Sequence, residues 1–214
     1  MKRLLFSTIL SLLLVYPVAV QSQGIDYDIL CGLQQHRTPA ANVAMQWTSN
    51  TLAAVPAIPA GLLLTGLCTD DEQLRNAGIA TGISVITATI VTEGLKFSIR
   101  RPRPYLGYPD DLVPVKTTYG FSFPSGHTSL TFAVATSLSL CYPKWYVVAP
   151  SMLWATSVAF SRLYLGVHYP SDVLTGMLVG AASAFAGYYI SRCFQKEANL
   201  PKTKVMTAPI VIVF

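Results

Sequence analysis

Phe123-Pro124-Ser125-Gly126-His127-Thr128 is a tight turn that runs straight into an apolar segment. Read physically it is an anion site: Pro124 and Gly126 shape the turn, and the first free backbone N–H groups of the helix point at whatever sits above them. Ser125 adds a hydroxyl donor, and His127 adds a proton donor whose ordinary pKa of about 6.5 lies near physiological pH. Alone, such a stretch is better read as an ordinary N-capped helix start. Its company sets it apart. Upstream stands a basic run in which Lys96 is followed, after six residues, by Arg103 and Pro104. Downstream come Ser161 and Arg162, then His168 after five residues and Asp172 after three more.

In this order the three blocks resemble the signature of the type 2 phosphatidic acid phosphatase superfamily, which also takes in bacterial class A acid phosphatases and vanadium haloperoxidases. Every defining position matches, over roughly residues 50 to 190. The resemblance implies an all-α fold: a polytopic membrane helical bundle of the phosphatase/haloperoxidase type, with five to six transmembrane helices. It implies a phosphatase with no metal and no cofactor, and it assigns roles. His168 is the nucleophile that forms a phosphohistidine, and Asp172 accepts a hydrogen bond from its other ring nitrogen. His127 protonates the leaving group and then deprotonates water. Lys96, Arg103, Arg162, Ser125 and the backbone N–H of Gly126 bind the phosphoryl oxygens. These parts answer what metal-free ester hydrolysis needs: a nucleophile, a proton for the leaving oxygen and fixed positive charge. Residue types and spacing permit the roles; the resemblance supplies them.

Neighbouring residues read more plainly. Asp172 is also a good N-cap for the segment starting at Val173. Arg100 and Arg101 read as interfacial anchors outside the motif. Glu93, three residues before Lys96 on the same helix face, can orient it through an ion pair. The loop 105–123, with Tyr105, Tyr108, Asp110 and Asp111, joins the first two blocks and is where substrate selection is expected.

The elements that must position these groups are apolar. Of 214 residues, 52% are hydrophobic and only 12% charged, against about 25% charged in an average soluble domain, which points to a bilayer. The length suits one domain. A net charge of +5 raises the question of nucleic acid, but the basic residues sit mainly in the motifs and near the C-terminal end. No basic, aromatic surface of the nucleic-acid kind is visible. The expected partners are the membrane and a lipid phosphate.

Residues 1–22, with Lys2 and Arg3 before the apolar run Leu4 to Val15, read as a signal peptide or first membrane helix. Residues 23–51 read as an extracytoplasmic amphipathic segment on the membrane surface, broken near Pro39, whose His36 and Arg37 are solvated or contact lipid headgroups. The family domain is expected over 52–192 and a cytoplasmic tail over 193–214. Five apolar segments follow residue 51: about 52–67, 77–95, 128–142, 145–160 and 172–190. Several fall short of the roughly 20 residues that span a hydrocarbon core, so some helix ends are expected within the interface. Pro56, Pro59 and Pro150 should kink these helices or shift their starts. Gly176, Gly180, Ala184 and Gly187 form a small-residue face suited to close helix packing.

Parity then places all three blocks on one side. Whether residues 1–22 are cleaved or retained, five further spans put the loop 96–127 and the turn 161–171 outside, and leave Arg192, Lys196, Lys202 and Lys204 inside, as the positive-inside bias expects. Lys96, Arg100, Arg101, Arg103 and Arg162 break that bias, which a bound phosphate would explain. Cys31 falls outside while Cys68, Cys141 and Cys193 fall near inner helix ends, so no disulfide or metal site is expected of them. The expected location is the bacterial inner membrane, with the site facing the periplasm or exterior. The leading reading is a membrane phosphatase acting on phosphatidic acid, phosphatidylglycerol phosphate, undecaprenyl diphosphate or a lipid A phosphate. A secreted, soluble acid phosphatase of the same superfamily is the runner-up. A haloperoxidase and a non-catalytic lipid-binding or transport protein stand behind it.

Overall fold

The structure, a computed structural model, describes residues 23–198. The stretch read as a signal peptide or first membrane helix, and residues 199–214 of the tail, lie outside the described residues. Every regular element among those described is helical.

The expected amphipathic segment is two helices, α1 (Gln23–Gln35) and α2 (Pro39–Asn50). Thr38 breaks them: its backbone is extended, its hydroxyl accepts the N–H of Ala41, and Pro39 opens the second helix at a position where no N–H is needed. A 3-10 turn, Thr51–Ala54, leads past Pro56 into α3 (Ala57–Cys68), with a 41° bend between the two arms. Asp71 starts α4 (Glu72–Ile99) by accepting the N–H of Leu74. The helix ends at Arg100, which turns left-handed at φ 52° just before the Arg101-Pro102 pair, where helix cannot continue. One helical turn, α5 (Pro104–Gly107), begins the loop to α6 (Gly126–Cys141); α7 (Trp145–Tyr164) and α8 (Pro170–Ala198) complete the bundle.

Each of the five apolar segments is thus a helix. Pro56 and Pro59 fall at the start of α3 as expected, whereas Pro150 sits inside α7. Among the described residues, two stretches can cross a membrane by length and composition, Glu72–Gly107 and Pro170–Phe194, and the bent run from α2 through α3 is a third if it is one span. Ile86, Ile90, Leu153, Leu174 and Leu178 are exposed on the bundle's outside. So many outward apolar side chains suit lipid and not water.

Helix α6, the most buried, forms the centre, flanked by α8, α4 and α7; α8 packs on both α6 and α4, α3 on α4, and α2 on α7. The small-residue face makes this possible. A Cβ on Gly180 would lie 2.4 Å from the Ser129 carbonyl oxygen, and one on Gly187 would lie 2.3 Å from Ser84 Oγ. Ala184 between them is fully buried. Close backbone approach and polar pairs such as Thr81 Oγ1 to Ser137 Oγ, 3.0 Å, take over where lipid gives no hydrophobic drive between helices. Gly180→Ala is therefore expected to cost about 1–3 kcal/mol of overpacking, read as a lowered melting temperature in detergent. Gly61→Ala, where a Cβ meets nothing within 4 Å, should be neutral or slightly stabilising.

Candidate active site

Helix ends deliver the predicted residues to one end of the bundle. Lys96 stands on the last turn of α4, and Arg103 lies just beyond it. Gly126 and His127 open α6, Arg162 is on the last turn of α7, and Asp172 is in the first turn of α8. His168 occupies the short connection between α7 and α8. Lys96 Nζ is 3.6 Å from Glu93 Oε1, the expected ion pair. The same amine lies 3.6 Å from where a Cβ of Gly126 would be, so it stands over the free N–H groups that open α6.

His168 is buried, at 1% exposure. Its Nε2 is 3.3 Å from Arg103 Nη1. Its Nδ1 is 3.5 Å from Asp172 Oδ2, at the limit of a hydrogen bond, and has no nearer partner. Burial pushes the His168 imidazole down to about 4; the hydrogen bond to Asp172 opposes this, while Arg162 and Arg103 reinforce it. The ring is therefore neutral over the whole physiological range, the form in which a nitrogen lone pair can attack.

Asp172 is fully buried and crowded with donors. Oδ1 accepts Arg101 Nη1 at 2.8 Å, and Oδ2 accepts the backbone N–H of Tyr169 at 2.9 Å as well as the Ser122 hydroxyl. Its capping role differs in detail from the expectation: it is the third residue of α8, not the residue before it, and reaches back to the N–H that precedes the helix. The carboxylate that faces His168 thus also caps α8. Its carbonyl accepts the Ser125 N–H at 3.0 Å, which ties the starts of α6 and α8 together.

Arg103 is clamped by the carbonyls of Gly120 at 3.0 Å, Tyr119 at 2.8 Å and Val167 at 2.9 Å. Arg162 is also buried; its Nη1 donates to Ser49 Oγ, while its Nε meets no partner. The Ser125 hydroxyl accepts a bond from Thr128 Oγ1 at 3.0 Å and keeps its own proton to give. Burial first, then the charges of Arg162, His168, Lys96 and Arg103, push the His127 imidazole down to about 3; a phosphate dianion among these cations would raise it again toward the charged form that donates a proton. All eight predicted residues come together. Three half-buried to buried cations around one point repel each other, and a tetrahedral dianion placed among them would relieve that repulsion.

Several contributors were not read from the sequence. Arg101 is not an interfacial anchor: it reaches Asp172, Ser171 Oγ at 2.7 Å and Asp26 Oδ2 at 2.9 Å, with its guanidinium 3.9 Å over the Tyr169 ring. Arg100 alone keeps the expected outward place. The left-handed turn at Arg100 decides which arginine of the run points inwards. Arg37 is likewise not solvated; its Nε donates to the Tyr164 carbonyl at 2.8 Å and its Nη1 to the Val113 carbonyl, while His36 stays exposed. Tyr105 and Tyr108 serve the loop's own shape, Tyr105 Oη bonding Thr118 and Tyr108 stacking on Tyr27 at 4.8 Å. The four cysteines are free.

Residues 77–196, over half of the chain, match the PAP2 superfamily. An undecaprenyl-diphosphatase of Sulfolobus acidocaldarius is 34% identical over 128 residues, 59% of this chain. That match spans 61% of the relative, less than two thirds of its length. A decaprenylphosphoryl-5-phosphoribose phosphatase of Mycobacterium tuberculosis is 36% identical over 166 residues, 77% of this chain and 82% of that protein. In fold, the chain resembles a transmembrane PAP2 type phosphatidylglycerolphosphate phosphatase from Bacillus subtilis, with a TM-score of 0.65 at 24% identity over 92% of this chain and 98% of the other.

Proposed function

We propose a function from one premise: this chain belongs to the PAP2 superfamily. It is a membrane phosphatase that removes the terminal phosphate of a lipid-linked substrate through a phosphohistidine, acting from the periplasmic or outer face of a bacterial inner membrane. One observation carries the reading: neutral His168 is held between Asp172 on one ring nitrogen and Arg103 on the other, beside two more cations and a helix N-terminus. Both relatives above are named for polyprenyl-linked phosphates, so such a lipid is the first substrate to test.

The phosphate seats its oxygens on Lys96, Arg103, Arg162, the Ser125 hydroxyl and the Gly126 N–H. Nε2 of His168 attacks phosphorus as the bond to the lipid oxygen breaks, and His127 gives that oxygen its proton. Asp172 takes the Nδ1–H bond, which becomes stronger as the ring gains positive charge. Water then enters; His127 removes its proton, the oxygen attacks phosphorus, and inorganic phosphate leaves with His168 restored. Fixed cations supply the charge neutralisation a metal gives elsewhere, so EDTA should leave the rate unchanged.

Phosphate release by the detergent-purified protein tests the reading, across undecaprenyl diphosphate, decaprenylphosphoryl-phosphoribose phosphate, phosphatidylglycerol phosphate, phosphatidic acid, lipid A and small esters. Strong preference for a lipid supports it; activity on small esters alone would support the soluble acid-phosphatase class. Two further outcomes are expected. In kcat/KM, which reports the phosphorylation step, His127→Ala should cost alkyl phosphates about 10²–10⁴-fold, but p-nitrophenyl phosphate much less, because that leaving group needs little protonation. Since His168 titrates at about 4 in place of 6.5, its limb of kcat/KM should fall only as pH drops through about 4. A fall near 6.5, after correction for the ester's own ionisation, would contradict the buried neutral nucleophile.

A further inference from the structure

Outside the matched region, α1 sends one carboxylate into the site. Asp26 is buried, 2% exposed. Its Oδ1 accepts the Ser171 N–H at 3.0 Å, and its Oδ2 accepts both the Ser171 hydroxyl and Arg101 Nη2, the latter at 2.9 Å. Arg101 spends its other nitrogen on Asp172 and Ser171. The result is a row of alternating groups, His168, Asp172, Arg101 and Asp26, with Ser171 bridging the last two. An isolated arginine beside Asp172 would draw the carboxylate's charge away from His168. Shared with Asp26, the guanidinium orients Asp172 and neutralises less of it. The Tyr169 ring lies over its face, 3.9 Å from Cζ, and limits how far the guanidinium can tilt.

We infer that Asp26 is a positioning residue for the phosphatase site, acting through Arg101 to fix Asp172 and keep it negative as His168 takes on phosphoryl charge. The inference rests on the function proposed above. Outer-shell partners of the carboxylate-histidine pairs in metal sites typically change activity about 10–100-fold when altered, and an effect of the same order is expected for this metal-free pair. Because Asp26 lies on the far side of Asp172 from the cations that hold phosphate, its loss should act on turnover and not on binding.

The test is steady-state kinetics on the full chain in detergent, with p-nitrophenyl phosphate and the preferred lipid. Asp26→Asn should lower kcat about 10–100-fold with KM, and inhibition by inorganic phosphate, within about twofold. Asp26→Glu should recover part of kcat. In an Arg101→Gln background, Asp26→Asn should have little further effect, since its path is already cut. Gln34→Leu is the control for docking of α1: it removes the bonds to the Asp111 carbonyl at 2.9 Å, the Val113 N–H at 2.8 Å and Arg37 Nη1 at 3.4 Å without touching Arg101, and should leave kcat unchanged. Wild-type kcat in Asp26→Asn, or an equal loss in Gln34→Leu, would overturn the inference while leaving the phosphatase intact. Absence of phosphatase activity in the wild-type protein would overturn both.

Discussion

Replacing His168 by alanine should abolish turnover, by about 10⁴-fold or more, without unfolding the protein or preventing phosphate from binding. The magnitude follows from the role: a covalent route that loses its nucleophile keeps only what binding and electrostatics supply. Folding should survive because the imidazole contributes little that the bundle depends on. Its Nδ1 lacks a full hydrogen bond and its Nε2 meets only Arg103 at 3.3 Å. Arg103 stays clamped by three carbonyls, and Asp172 keeps Arg101, Ser122 and the Tyr169 N–H. Phosphate-induced thermal stabilisation of the variant, close to that of the wild type, together with loss of all phosphate release, is the expected pair of results.

The second large effect separates binding from stability. Arg162 holds its charge in a buried place, beside Arg103 and with Nε unpaired. Arg162→Gln removes a donor proposed to hold the phosphoryl oxygens and should lower kcat/KM about 10²–10³-fold, the usual loss for one such donor in a water-excluded site. The unliganded protein should melt no lower, because the change also removes an uncompensated buried cation. Phosphate or vanadate should then raise the melting temperature of the wild type and not of the variant, since only a ligand that binds the folded state shifts the transition. A variant that melts lower and yet responds normally to phosphate would place Arg162 in the scaffold instead.

Much of this site was legible in the sequence because its chemistry is written in contiguous blocks. Lys96 to Arg103, Ser125 to His127 and Arg162 to Asp172 each span a helix end, and the resemblance of these three blocks to the family signature, which their spacing permits, marks them as one site. The five apolar segments became helices for the same local reason, and the small-residue face of α8 declared its own packing. What could not be read was long-range. Asp26 and Arg101 meet across 75 positions, and Ser49 and Arg162 across 113. Nothing local distinguishes Asp26 from Asp28, or Arg101 from Arg100; the first choice depends on how α1 docks, and the second on one left-handed residue. Arg37 was misread for that reason too, because its partners, the carbonyls of Val113 and Tyr164, exist only once α7 and the loop after α5 are in place.

The central claim is that phosphate passes through His168. The most direct measurement is to quench the enzyme during turnover of a ³²P-labelled substrate, recover the protein and map the label. Label is expected on the peptide containing His168, stable to alkali and released by acid, and absent from His168→Ala. Acid-stable label on Ser125, or undiminished phosphate release by His168→Ala, would contradict it.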